Sequence, residues 1–302
     1  MGKTIISWAT YTANVVHGCS KPAAVPLDVL PLADGPIDAK WTHTGTSPEC
    51  IRCYAENLSN RRGWTPAPWT EENAVANIRI RPERLEDFRK VPVKPTTLPP
   101  SQRERFFICS MGDIFHRLVP DSYLRQLWDM MLASPHIYML LTKRTDRAMT
   151  WPGPWPDNIW LGTTCGHPVT TWRIECLRQS KAKTRFVSGE PLLGSLAPLD
   201  LSGINQFIVG GESGTGWRRM NHTWAREIRD ACVRQTVAFF FKQDSSFRTE
   251  SRCYLVEEDG SCWQWRQFPG EMTPPLQVQP DSERKHRELF QIAGQHFVNT
   301  AA

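Results

Sequence analysis

Short apolar runs recur along the first 243 residues of the chain, and each run ends in small or polar residues. The apolar positions within a run are continuous rather than alternating, which is typical of parallel strands buried on both faces. We therefore predict strands at residues 4–8, 105–109, 137–141, 159–162, 185–188, 206–210 and 237–241.

Helical patterns lie between these runs. In residues 122–134 the apolar side chains recur at i, i+3, i+4, i+7 and i+8, so that one face of a helix is apolar. A similar pattern spans residues 223–235, and shorter ones span 169–179 and 51–61. Strands that alternate with helices predict an α/β fold, a partial or complete (β/α) barrel, with a doubly wound open sheet as the alternative.

Two parts of the chain break this alternation. Residues 20–49 contain five prolines and predict a loop inserted after the first strand. Beyond residue 243, residues 252–265 predict a hairpin and residues 282–297 a final helix. We expect a barrel over residues 1–243 and a C-terminal extension over 244–302.

The composition is that of a globular protein, with 40% hydrophobic and 22% charged residues. No apolar run approaches the roughly 18 residues that cross a membrane, and no signal peptide is visible, so we expect a cytoplasmic protein. In a reducing compartment the nine cysteines should be thiols or metal ligands. The net charge of +5 permits an anionic partner such as nucleic acid.

Polar residues follow most of the predicted strands. In β/α barrels the chemistry lies at the C-terminal ends of the strands, so these side chains should converge on one site. Two of them, Glu190 and Glu212, could act as a paired acid and base without any metal. The polar strand ends are Ser110, Asp113, Lys143, Arg144, Thr163, Thr164, Glu190, Glu212 and Lys242.

Three cysteines form the sharpest local feature. Cys50 and Cys53 are a C-x2-C pair at the start of a predicted helix, and Cys19 follows the first strand. Three thiolates can hold three irons of a [4Fe–4S] cluster and leave the fourth iron open. The alternatives are a structural zinc with His17 or His43 as fourth ligand, a redox dithiol, and unrelated buried thiols.

The order of strand, cysteine, C-x2-C-Tyr, helix and β/α barrel resembles the radical S-adenosylmethionine superfamily. Tyr54, directly after Cys53, is similar to the spore photoproduct lyase branch, a DNA-repair group. A set of segments also looks like a phage-associated three-cysteine family of undefined function. They are GC at 18–19, CIRCYAE at 50–56, SMGDIFH at 110–116, LTKR at 141–144, IWLGTT at 159–164, RFVSGEPL at 185–192, IVGGESG at 208–214 and FFKQ at 240–243.

The resemblance implies a radical enzyme that uses a [4Fe–4S] cluster and S-adenosylmethionine, with a nucleic-acid base or nucleotide as substrate. A reductase or flavodoxin-like protein would donate the electron, and a phage-encoded protein would work in the host cytoplasm. Cys19, Cys50 and Cys53 would bind the cluster. S-adenosylmethionine would be bound by Tyr54, Ser110, Asp113, Thr163, Thr164, Glu190 and Glu212. The two glutamates could instead contact the substrate. A substrate phosphate would be bound by Lys143, Arg144 and Lys242.

The cysteine spacing departs from that superfamily. Its pattern is C-x3-C-x2-C, whereas this chain has C-x30-C-x2-C. Because the cost of closing a loop grows only logarithmically with its length, the ends of the insertion can still meet. Cys109 and Cys165, at strand ends, are the obvious substitutes for Cys19. A zinc-binding, non-catalytic barrel that binds nucleic acid or protein is the alternative function.

Overall fold

A curled, mostly parallel sheet of eight strands organises the fold. The computed structural model describes residues 2–24 and 45–280. Only β1 is antiparallel to its neighbour, and the other seven strands are parallel and follow in chain order. The strands are β1 Gly2–Lys3, β2 Tyr11–Ala13, β5 Arg105–Ile108, β6 Ile137–Thr142, β7 Ile159–Thr164, β8 Thr184–Gly189, β9 Gln206–Gly210 and β10 Ala238–Gln243.

Helices follow several of these strands, as the apolar periodicity predicts. In the helix Asp121–Leu132 (α3) the apolar face is buried, with Leu124, Leu127 and Met131 fully inaccessible to solvent. Short 3-10 turns lie at Pro48–Cys50, Pro82–Lys90, Pro100–Gln102 and Pro168–Thr170. The helices are α1 Tyr54–Arg62, α2 Ala74–Asn77, α3 Asp121–Leu132, α4 Thr145–Thr150, α5 Trp172–Arg178 and α6 His222–Arg234.

Two smaller sheets complete the described structure. β3 (Val16–His17) pairs with β4 (Arg79–Ile80). In the C-terminal extension, β11 (Leu255–Val256), β12 (Cys262–Gln264) and β13 (Leu276–Gln277) form an antiparallel sheet. The extension also covers the edge of β10, where Phe241 N donates to Trp265 O at 3.0 Å and Gln267 N to Phe239 O at 3.1 Å.

The two faces of the curled sheet have different cores. Alternate strand residues on the outer face pack against the helices, while those on the inner face form an aromatic layer. Two residues further along these strands, the inner positions become smaller or polar. The aromatic layer holds Phe107, Met139, Trp160, Phe186, Ile208 and Phe240 with Trp8 and Phe268, and the positions beyond it include Leu141, Gly162, Ser188, Gly210 and Lys242.

The predicted partial barrel is confirmed: the strand order from β1 to β10 gives a half-barrel. The first strand is misplaced in the prediction, because it lies at Tyr11–Ala13 rather than at residues 4–8. The side chain of Trp8 instead packs on Phe107, with the ring centroids 4.6 Å apart. Because this segment is buried for that reason, its apolar pattern resembles that of a strand. The hairpin is confirmed, with a third strand added.

Other predictions fall partly or wholly beyond the described residues. Residues 25–44 of the insertion and the predicted final helix at 282–297 lie outside them. The division into a barrel over 1–243 and an extension over 244–302 stays a prediction. No helix within residues 2–24 and 45–280 is long and apolar enough to cross a membrane.

The inner wall should be sensitive to added volume at Gly162. A Cβ there would lie 2.4 Å from the Phe186 ring, which is fully buried. We expect Gly162→Ala to lower the free energy of unfolding by about 1–3 kcal/mol, as overpacking does. Chemical denaturation measures this, with Gly2→Ala as control because no heavy atom lies within 4 Å of its Cβ position. Equal stability of the two variants would contradict the prediction.

Candidate functional site

The two ends of the long insertion pair with each other. Ala23 and Thr46 form an antiparallel bridge. Ala24 N donates to Gly45 O at 3.0 Å, and Ser47 N donates to Pro22 O at 3.0 Å. This closed neck brings the segment after Cys19 back to the segment before Cys50, so the 30 intervening residues do not separate the two cysteines in space.

The three predicted cysteines share one region of the structure. Cys19 and Cys53 both pack against a small apolar cluster that includes Trp69 and Met111. Burial raises the pKa of Cys19 to about 12, and the nearby Cys50 adds to that shift. Burial likewise raises the pKa of Cys50 to about 11, with Cys53 adding to it. The thiols therefore lie within electrostatic reach of one another at the C-terminal edge of the sheet.

A buried ion pair fixes the neck and, through it, Cys50. The side chains of Glu49 and Arg173 are fully buried, with Arg173 Nη1 3.6 Å from Glu49 Oε2. Arg173 also donates to Ser47 Oγ at 3.0 Å and to Ala23 O at 3.5 Å, so it binds both strands of the neck. Burial alone would raise the pKa of Glu49, but Arg173, Ser47, Thr170 and Gly166 lower it.

The carboxylate of Glu49 is anchored on the sheet side as well. Gly166 N donates to Glu49 Oε1 at 3.0 Å, and Thr170 Oγ1 donates to the same oxygen at 2.6 Å. Arg173 Nη1 in turn donates to Thr164 O at 3.0 Å. The residue before Cys50 is thus tied to the end of β7 and to α5.

Two cations at the end of β6 face the cysteines. The Arg144 guanidinium lies 3.9 Å from Cys19 Sγ and also donates to Ser20 O. Burial would lower the pKa of Lys143, but the charges of Cys50, Glu49 and Cys53 outweigh burial and raise it. Arg144 lowers the pKa of Cys19 and Lys143 that of Cys50, so these cations partly offset the effect of burial on the two thiols.

Asp113 holds those cations in place. Its carboxylate accepts hydrogen bonds from Thr142 Oγ1 at 2.8 Å, from Lys143 N at 3.1 Å and from Phe115 N at 3.0 Å. The side chain is buried and links the end of β5 to the end of β6. It lies in the predicted region, with its oxygens already occupied by protein donors.

Ser110 and Tyr54 join α1 to the end of β5. Tyr54 OH donates to Ser110 O at 2.7 Å, and Ser110 Oγ donates to Asn14 Oδ1 at 3.1 Å. Asn14 Oδ1 also accepts from Met111 N at 3.0 Å. The contact places the helix that begins after Cys53 directly against the β5 end, as expected if both belong to one site.

Glu190 and Lys242 form a second charged group on the inner wall. Lys242 Nζ lies 2.9 Å from Glu190 Oε1, and both side chains are largely buried. Glu190 Oε2 accepts from Ser188 Oγ at 3.1 Å and from Trp8 Nε1 at 3.3 Å. A Cβ on Gly210 would lie 2.5 Å from Glu190 Oε1, so glycine there makes room for the carboxylate.

Glu212 has an ion-pair partner of its own, Arg218. Arg218 binds it through Nε at 2.9 Å and through the backbone N at 2.7 Å, and Arg218 Nη2 reaches Pro48 O at 3.1 Å. Glu212 therefore connects the end of β9 to the cysteine segment. The structure shows each glutamate in its own ion pair, Glu190 with Lys242 and Glu212 with Arg218.

The remaining predicted residues are part of the wall. Thr163 Oγ1 donates to Thr142 O at 3.0 Å, and both Thr163 and Thr164 are buried. Of the possible substitute ligands, Cys109 Sγ accepts from Val16 N at 3.3 Å and Cys165 is completely buried beside Thr170. Burial raises the pKa of each thiol to about 12.

Of the two histidines that could complete a zinc site, the structure describes only one. His17 Nε2 lies 3.0 Å from Ser59 Oγ, and His43 lies outside the described residues. Across the described ranges, no group of three or more His, Cys, Asp or Glu side chains is arranged around a position for a metal ion.

A family model described as "Protein of unknown function (DUF5131)" matches residues 37–293. The chain belongs to the DUF5131 family. The match includes Cys50 and Cys53 of this DUF5131 chain and begins after Cys19. No curated protein matches it.

One solved structure is similar to this DUF5131 chain, "Spore photoproduct lyase complexed with dinucleoside spore photoproduct". The identity is 12% and the TM-score is 0.39, over 95% of this chain and 73% of the other. The resemblance to a phage-associated family stays a prediction.

Several residues that build the site escaped the sequence analysis. Glu49 stands next to Cys50, which was a usable signal, but its partner Arg173 lies inside a helix 124 positions away. Arg218 carries no sequence signal for its role, and the structure pairs it with the buried Glu212. Charge partners at such separations are set by the fold, and a single sequence does not reveal them.

The buried pair should dominate the stability of the neck. Arg173→Met would leave the Glu49 carboxylate buried without its counter-ion, at a cost of about 3–5 kcal/mol. Arg178→Met is the control on the same helix, since its ion pairs with Glu175 and Asp200 are partly exposed and should each contribute at most about 1 kcal/mol. Urea unfolding of the two variants measures the difference.

A second substitution, at Glu49, should restore part of the stability that Arg173→Met loses. Because the cost arises from the uncompensated charge, Glu49→Gln combined with Arg173→Met should lose less stability than the sum of the two single variants. Strict additivity, or an Arg173→Met variant as stable as Arg178→Met, would show that the pair does not hold the neck.

Proposed function

We propose that this protein is a radical S-adenosylmethionine enzyme that holds a [4Fe–4S] cluster through Cys19, Cys50 and Cys53 and acts on a nucleic-acid base. The observation that supports the proposal is the closed neck, which returns the chain that follows Cys19 to the segment before the C-x2-C pair despite the long spacing. The cysteines then stand after the first parallel strand of a half-barrel, at the end where barrel enzymes carry their chemistry.

The chemistry of the three cysteines and their shared region support an iron–sulfur cluster as the group bound. Thiolates are soft ligands that suit iron, and three of them share one partly buried region. Burial opposes their ionisation, so a bound cluster needs nearby positive charge. Arg144 beside Cys19 and Lys143 beside Cys50 and Cys53 supply it. When bound, the cluster and S-adenosylmethionine would supply a 5′-deoxyadenosyl radical for hydrogen abstraction.

The protein's own contribution would be positioning and shielding. The aromatic layer of the inner wall closes the half-barrel on the side away from the cysteines and would exclude water from a reactive species. Beyond that layer the inner wall carries the Glu190–Lys242 pair, and Ser188 Oγ donates to Glu190 Oε2. S-adenosylmethionine or substrate would lie against that wall, with Ser110, Thr163 and Thr164 framing the cysteine side.

Glu190 and Lys242 would orient the polar edge of a bound molecule. Burial would lower the pKa of Lys242, but Glu190 and Glu250 raise it, so the ammonium stays charged inside the wall. A fixed cation of this kind suits a phosphate or a base carbonyl. This supports a nucleotide or nucleic-acid base as substrate. We further propose that a reductase or flavodoxin-like protein supplies the electron.

Metal analysis after anaerobic reconstitution tests the cluster. We expect iron and sulfide uptake near four of each per chain and thiolate-to-iron absorbance near roughly 400 nm. Cys19→Ala, Cys50→Ala and Cys53→Ala should each lose most of the bound iron. Cys109→Ala and Cys165→Ala are matched controls at strand ends and should keep it. Zinc uptake without iron, or iron lost only in the controls, would refute the proposed ligand set.

Cleavage of S-adenosylmethionine tests the activity. With a chemical reductant, the loaded protein should release 5′-deoxyadenosine and methionine, measured by liquid chromatography. Lys143→Met should lower cleavage because it removes a cation beside two thiolates, while Lys183→Met at the surface should not. A loaded, folded protein that neither binds nor cleaves S-adenosylmethionine would contradict the proposed function.

A further inference from the structure

Exposed aromatic and arginine side chains surround the cysteine segment. Tyr54 is 52% exposed, Trp217 37% and Phe247 66%. Large rings are usually buried, so three exposed in one region form an unusual surface. We name this surface the rim and define it as Arg52, Tyr54, Trp217, Arg219, Phe247 and Arg248, whose arginines are also exposed.

The rim is one continuous surface, because the loops that carry it are joined. Ser213 and Ser246 form a parallel bridge, and Gly214 N donates to Phe247 O at 3.2 Å. Arg52 lies against the loop that contains Gly214 and Gly216, since a Cβ on Gly216 would be 3.2 Å from Arg52 Nη1. Gly216 has a φ of +70°, which suits glycine at this close approach.

The charge of the rim is positive. The buried carboxylates beneath it are engaged, since Glu212 pairs with Arg218 and Asp244 with Arg252 and His222. Arg52, Arg219 and Arg248 make no ion pair with the residues that the structure describes. Three cations and three rings on one surface complement a chain of phosphates and flat bases.

We infer that the rim binds a single-stranded polynucleotide, with bases stacked on Trp217 and Phe247 and phosphates on Arg219 and Arg248. Exposed rings favour a single strand over a duplex, because paired bases are hidden in their own stack. Arg52 lies between Cys50 and Cys53, so a bound strand would pass directly over the candidate site. The inference deepens the proposed function and rests on its nucleic-acid substrate, but it requires no cofactor.

Fluorescence anisotropy with the full chain tests this. The probes are labelled single-stranded DNA, single-stranded RNA and duplex DNA of one length and mixed sequence. We expect at least tenfold tighter binding of one single strand than of the duplex. Trp217→Ala and Phe247→Ala should each weaken that binding about tenfold, through lost stacking. Arg219→Ala and Arg248→Ala should each reduce the salt dependence, by about 0.7 in log Kd per log salt.

The controls lie away from the rim. Leu276→Ala removes an equally exposed apolar side chain on β13, and Lys183→Ala removes an exposed cation. Both should bind like the wild type. Tight duplex binding with no loss in the aromatic variants, or equal loss in the controls, would overturn the inference. Circular dichroism of each variant checks that it is folded.

Iron content and S-adenosylmethionine cleavage, measured on the same preparations, separate the two proposals. Loaded, cleaving protein that binds no strand refutes the rim alone. Strand binding that depends on Trp217 and Phe247 in protein that takes up no iron supports the rim and refutes the cluster.

Discussion

The contact between Glu49 and Arg173 decides where the cysteine segment lies. Both side chains are removed from water, which is costly for two charges unless they are paired and hydrogen-bonded. Here the carboxylate accepts from Gly166 and Thr170, and the guanidinium binds Ser47 and Thr164 O. One buried pair thus ties together β7, α5 and both strands of the neck. The position of Cys50, one residue further, follows from it.

A second electrostatic arrangement depends on the first. Once Cys50 and Cys53 are held against the sheet, the cations that end β6 come to face the thiols. Asp113 fixes them by accepting Thr142 Oγ1 and Lys143 N, so Lys143 and Arg144 emerge from a defined strand end. Glu212 and Arg218 close the other side, since Arg218 reaches Pro48 O. The acidic residues at the strand ends thereby act as supports for the cysteine segment.

The sequence was most informative where the pattern is local. Continuous apolar runs located the parallel strands, because a strand buried on both faces is apolar at successive positions. The i, i+3, i+4 spacing located α3 and α6, because a helix buried on one face is apolar at that period. The first strand was misplaced because Trp8 and its neighbours are buried for another reason, namely their packing on Phe107. Arg173 could not be predicted, since its partners come from positions distant in the chain. For the approach of Cys19 to Cys50, the sequence could show only that the entropic cost of closing the intervening loop is small enough to allow it.

The half-barrel also explains why its two ends differ. An open parallel sheet leaves its inner face to be covered by something other than strands. Here the segment around Trp8 and the C-terminal extension around Phe268 fill the N-terminal half of that face with rings. The Arg105 guanidinium lies over the Phe268 ring, 4.5 Å from its centroid, and the Arg266 guanidinium lies over the Phe240 ring at 4.6 Å. These two contacts cover the layer of rings. Because that half is closed by packing, polar and small residues are left to the C-terminal half. Access to the inner wall is therefore from the side where the cysteines and the rim lie.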